Sequence, residues 1–171
     1  LSSSSAASDV YKRQALMLAM EALNLPEGSE VITPALTFST TVAYITRNKL
    51  IPVFVDVKEG TYCIDEDKIA KLITKKTKAI VAPHLMGNIV NWKKLSPLLK
   101  KKKIIIVEDS ADTLGATYKN KSTGHYADIS ITSFYGSHII NCAGNGGMVC
   151  FNDKKQYIKA KLLRSWGRSS S

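Results

Sequence analysis

Residues Trp92–Asp112, WKKLSPLLKKKKIIIVEDSAD, hold the pattern that decides the fold. A helix expected over Trp92–Lys101 runs into an Ile/Val strand over Ile104–Glu108, and two or three carboxylates follow at the strand's carboxyl end. Working outward, the same alternation recurs. Helices are expected over Ala15–Leu25, Phe38–Asn48, Asp65–Thr74 (with Asp65 as N-cap) and Lys154–Trp166. Strands are expected over Glu30–Thr33, Ile51–Val57, Ala79–Pro83, Ile129–Phe134 and Met148–Phe151. Strands of four to six residues alternating with helices of about ten imply an α/β domain, a mainly parallel sheet with flanking helices. No helix is expected between the last two strands, so the pattern is not purely βαβ.

The chain has 171 residues, 44% hydrophobic and 22% charged, which suits one soluble globular domain. It contains no apolar run of about 18 residues, so no membrane span is expected. Net charge is +10, from 24 Lys and Arg against 14 Asp and Glu. No stacking aromatics interleave with the lysines, so the excess reads as a solvated basic surface rather than a nucleic-acid site, and it would suit an anionic substrate. Cys63, Cys142 and Cys150 lack metal-ligand spacing and read as reduced thiols of a cytoplasmic protein. Residues 1–14, LSSSSAASDVYKRQ, are Ser/Ala-rich and without periodicity, and SAASDVYKRQ looks like translated sequencing-adapter sequence. They are expected to be a non-native leader, with residues 15–171 as a fragment.

In open α/β sheets ligands bind at the carboxyl ends of strands. Three such ends stand out: Glu108-Asp109-Ser110-Ala111-Asp112, Ser133 with His138 five residues on, and Pro34 to Phe38. Singly, each has an ordinary reading. An Asp after a buried strand can be a helix N-cap, a loop histidine is usually structural, and a Phe near a strand end is usually core. His84 and His125 read as structural, and Gly144, Gly146 and Gly147 as a tight turn.

Together, residues 28–168 resemble the large domain of the DegT/DnrJ/EryC1/StrS sugar aminotransferase family. The resemblance rests on GSEVITPALTF, IPVFVDV, HLMGN, VEDSADTLGATYKNKSTGHYADIS, SFYGSHI, GNGG and LRSWGR, and on the 24-residue step from Asp109 to Ser133. It implies the aspartate-aminotransferase-like fold, pyridoxal 5′-phosphate (PLP) as cofactor, a homodimer, and a C-terminal small domain missing from this chain. It further implies that Asp109 binds the pyridine nitrogen, Phe38 stacks on the ring and Ser133 donates to the phosphate. Asp112 occupies the place from which a polar residue approaches the ring hydroxyl. The remaining phosphate ligands of the family open the first helix, where the leader now stands; Ser4 and Ser5 imitate that turn only by chance.

Where the family's aminotransferases carry the lysine that links to PLP, this chain has His138. An imidazole cannot form that stable link. The same exchange marks a branch resembling nucleotide-linked 4-keto-6-deoxyhexose 3-dehydratases, which hold pyridoxamine 5′-phosphate (PMP) non-covalently and use the histidine as base. The expected substrate is a nucleotide-activated keto sugar, and histidine as a residue type titrates near pH 6.5, suiting a base at neutrality. A sugar aminotransferase or a non-catalytic family member are the alternatives. Ile139 and Gly136 depart from the histidine and proline common in that branch. An iron–sulfur cluster, carried by one subgroup, is not expected: Ala111 stands where its first cysteine would be, and Ser169 to Ser171 follow Arg168.

Overall fold

The computed structural model describes residues 5–9, 12–136, 138, 140 and 146–168. Nine strands and five α-helices follow in the order β1 (Ser5–Asp9), α1 (Lys12–Leu23), β2 (Glu30–Pro34), α2 (Ser39–Arg47), β3 (Ile51–Val55), α3 (Glu66–Leu72), β4 (Thr77–Pro83), α4 (Trp92–Lys101), β5 (Ile105–Asp109), β6 (Thr117–Tyr118), β7 (Lys121–Ser122), β8 (Ile129–Ser133), β9 (Gly147–Phe151) and α5 (Lys154–Arg164) among the described residues, with one 3-10 turn over Leu85–Gly87.

Seven strands form one sheet in the order β1-β9-β8-β5-β4-β2-β3. The pairs β3–β2, β2–β4, β4–β5 and β5–β8 are parallel, whereas β9 runs antiparallel between β8 and β1. The expected mainly parallel sheet with flanking helices is thus the observed one.

Alternation along the strands fills two cores at once. Val31, Val81, Val107, Ile131 and Val149 pack on one face with Leu16, Met20, Ile45 and Ala160 of α1, α2 and α5. Ile32, Ile80 and Ile106 pack on the other with Ile69, Trp92, Leu95 and Leu99 of α3 and α4. Burial on both faces explains why these strands read as unbroken Ile/Val runs.

Local chemistry sets the element ends. The Asp65 side chain accepts from the Asp67 N–H and starts α3, and Asn91 does the same for α4 from Lys94. Phe38, expected inside α2, is instead its extended N-cap (φ −68°, ψ 136°), so its ring leaves the helix face. The last helix, expected to reach Trp166, stops at Arg164 because Trp166 and Gly167 turn left-handed (φ 52° and 77°). β3 ends at Val55 rather than Val57, which forms only a bridge to Ile64. Residues Ser5–Asp9 of the expected leader form the edge strand β1 against β9, and α1 starts at Lys12. Among the described residues, no helix is long and apolar enough to cross a membrane.

Candidate active site

Parallel register brings the chemistry to one edge of the sheet. Pro83, the last residue of β4, pairs with Asp109, the last of β5. Ser133 closes β8 opposite Gly147, the first residue of β9. The segment after β2 carries Leu36 to Thr40 to the same edge. These ends enclose a cavity of about 780 Å³, lined by Arg13, Leu36, Phe38, Pro83, His84, Leu85, Asp109, Asp112, Ser133, Tyr135, His138 and Gly146 among others. That volume suits a small organic ligand. All five residues singled out in the sequence therefore meet in one place.

Their settings differ. Asp109 is 2% exposed at the floor, its Oδ1 accepting from the Ala111 N–H at 3.1 Å, and its carbonyl accepts from the His84 N–H at 2.9 Å. Asp109 does not cap a helix, since turns follow it rather than α-helix. Ser133 is equally buried; its Oγ accepts from the Tyr135 N–H at 3.2 Å, which leaves the hydroxyl proton to donate to an anionic oxygen. Phe38 is 58% exposed and is therefore not core filling. His138 has its Nδ1 3.9 Å from Asp112 Oδ1 and its ring edge-on to Tyr135 at 6.2 Å. The other Asp112 oxygen accepts from the Met86 N–H at 3.1 Å.

Behind the cavity lies a buried pair that the sequence did not reveal. His84 and Glu108 are each 1% exposed, with Nε2 3.3 Å from Oε2. His84 Nδ1 accepts from the Val90 N–H at 3.0 Å, so the imidazole proton sits on Nε2, facing Glu108. Glu108 Oε1 also accepts from Ser110 Oγ and the Gly124 N–H, both at 2.6 Å. Burial works to raise the Glu108 carboxyl, but His84, Ser110 and Gly124 outweigh it and hold the group below the usual carboxylate range. His84, expected to be structural, is buried against Glu108 at the cavity wall. No single stretch could show the pairing, because it depends on β4–β5 register. His125 is exposed, edge-on to Tyr126 at 5.0 Å.

Chemically, the cavity offers a buried carboxylate for a protonated ring nitrogen, an aromatic face for a planar ligand, a hydroxyl for an anion and an imidazole for proton transfer. Among the described residues no lysine lines it. Arg13 lines it from within the expected leader. A separate carboxylate group, Asp65, Glu66 and Asp67, lies outside the lining and is engaged by Lys58, Lys68 and Lys94. Ser4, Ile139, Cys142, Gly144 and Ser169 to Ser171 lie outside the described residues, as does the side chain of Ser5.

The sequence model of the DegT/DnrJ/EryC1/StrS aminotransferase family matches residues 13–171. The chain is 36% identical over 160 residues to dTDP-4-dehydro-2,6-dideoxy-D-glucose 3-dehydratase of Saccharopolyspora spinosa, covering 89% of this chain and 34% of that protein. It is 41% identical over 153 residues to GDP-perosamine synthase of Escherichia coli O157:H7, covering 90% and 42%. A solved GDP-4-keto-6-deoxymannose-3-dehydratase with a trapped PLP-glutamate geminal diamine superposes with a TM-score of 0.90 at 29% identity, covering 95% of this chain and 43% of that one. The chain thus spans well under half the length of these relatives.

Proposed function

The chain belongs to the DegT/DnrJ/EryC1/StrS aminotransferase family, and from that premise we propose that the full-length protein is a PLP/PMP-dependent enzyme acting on a nucleotide-linked keto sugar. Its proposed reaction is 3-dehydration of a 4-keto-6-deoxyhexose with His138 as base. The observation that carries this reading is that His138, and no lysine among the described lining residues, shares the cavity with Asp109, Ser133 and Phe38.

The residues present fit the cofactor. The deeply buried Asp109 carboxylate would hold a ring nitrogen in its protonated form, and a Ser133 hydroxyl with its proton to spare would meet the phosphate. The half-exposed Phe38 ring would lie against the ring face and exclude water from it. Bound PMP would supply an amine for the sugar carbonyl and a ring that stabilises the electron pair left by proton removal, the pair that the neighbouring hydroxyl's loss requires. His138 would accept and hold the proton whose removal drives that loss, at the imidazole nitrogen not facing Asp112. Exposed Leu36, Met86 and Tyr135 near the cavity would be covered by the second subunit of a homodimer, and the small domain would come from the rest of the protein.

A sugar aminotransferase is the second reading, favoured by the 41% identity to GDP-perosamine synthase. Full-length protein given PMP and a nucleotide-linked 4-keto-6-deoxyhexose should consume the sugar, and His138→Ala should slow this by roughly 10²–10⁴-fold while still binding PMP. Retention of full rate by His138→Ala would overturn the role of His138. A lysine labelled by borohydride after PLP loading would favour the aminotransferase.

A further inference from the structure

The geometry points to Asp112 as a positioning residue that fixes the tautomer of His138. This rests on the reading of His138 as base and deepens it. Asp112 is anchored independently of any ligand: its Oδ2 accepts from the Met86 N–H at 3.1 Å, in the turn that follows β4. That turn is stiff. Met86 sits left-handed at φ 55°, the Asn88 N–H donates to the Leu85 carbonyl at 3.0 Å, and Val90 is tied to His84. Oδ1 of the same carboxylate is thereby left on the His138 side, 3.9 Å from Nδ1.

The separation exceeds hydrogen-bond length, so the two groups interact through charge rather than through a direct hydrogen bond. At this distance a carboxylate already favours a proton on the nearer nitrogen. Nδ1 then carries the hydrogen and Nε2 stands bare as the proton acceptor. The Tyr135 ring, edge-on at 6.2 Å, limits the imidazole from another side, and the His138 N–H donating to the Tyr135 carbonyl at 2.9 Å fixes its backbone. Arg13, His84, Asp109 and Tyr135 are the other ionisable residues at the cavity lining. Asp112 is the acidic group within ion-pair distance of His138 among the described residues.

His84, His125 and His138 are the histidines of this stretch, and each is identified in the spectrum by the signal lost on its substitution. Long-range ¹H–¹⁵N correlation of histidine-labelled full-length protein with PMP, recorded about two pH units above the ordinary histidine midpoint, reports each tautomer, with His→Gln variants giving the assignments. His138 should be Nδ1–H and His84 should be Nε2–H, its Nδ1 being taken by Val90. Asp112→Ala should move His138 to Nε2–H while the unchanged His84 pattern reports that the fold is intact. Wild-type His138 as Nε2–H, or an unchanged His138 pattern in folded Asp112→Ala, would overturn the assignment. Should Asp112→Ala not fold, the wild-type spectrum decides alone. An active His138→Ala would remove the base reading while leaving the tautomer result standing, so the two failures are distinct.

Discussion

Glu108→Gln perturbs the buried pair behind the cavity with almost no change of shape. Glu108 Oε1 accepts hydrogen bonds from Ser110 Oγ and the Gly124 N–H, and Oε2 faces the proton on His84 Nε2. A glutamine can keep its oxygen toward Ser110 and Gly124, but its amide then meets the His84 N–H donor to donor. His84 cannot escape by changing tautomer, because that would aim Nδ1–H at the Val90 N–H. Hydrogen bonds to a charged acceptor are worth about 1.5–3 kcal/mol against about 0.5–1.5 for a neutral one, so the two retained bonds lose roughly 1 kcal/mol each. The opposed donors add about 1–3 kcal/mol, and relief of the carboxylate's burial offsets part of the sum. The expected loss is about 2–3 kcal/mol in urea unfolding of the full-length protein at fixed concentration.

The pH dependence has a definite sign. The folded carboxyl titrates below its ordinary value, so its stabilising effect is complete above the unfolded midpoint near about pH 4.3 and is lost as pH falls through the folded value. The gap between wild type and variant should be full at neutral pH and shrink in acid. A loss under about 0.5 kcal/mol, the range of an inert surface change, or a gap that widens in acid, would refute the account of this pair.

Other substitutions separate the site from the scaffold. Phe38→Ala should leave stability within about 0.5 kcal/mol, since the ring is mostly exposed, yet weaken PMP binding roughly tenfold in a fluorescence titration. Asp65→Ala should cost about 1 kcal/mol in urea unfolding through loss of the α3 cap to Asp67. Leu99→Ala, at a fully buried position between α4 and the sheet, should cost about 2–5 kcal/mol in the same assay.

Much of the architecture was legible because both sheet faces are buried. Runs such as Ile104–Val107 announce strands, and α4 matches its expected bounds of Trp92–Lys101. What escaped was held by partners distant in sequence. β1 is Ser/Ala-rich and takes its strand form alongside β9, while β6 and β7 are two residues each, joined through left-handed Lys119 and Asn120. At the site, Asp109, Asp112, Ser133, His138 and Phe38 could be named from strand ends and the family resemblance. The contacts Glu108–His84, Asp112–Met86 and Asp112–His138 could not, since each joins separate segments through tertiary register.

On the proposed reading, a histidine in the cavity directs the chemistry to C3 of the sugar. The most direct test is the product of a single turnover by PMP-loaded full-length protein on a nucleotide-linked 4-keto-6-deoxyhexose, identified by mass and NMR. The account predicts a keto sugar that has lost its C3 oxygen. A 4-amino sugar retaining the C3 hydroxyl would contradict it.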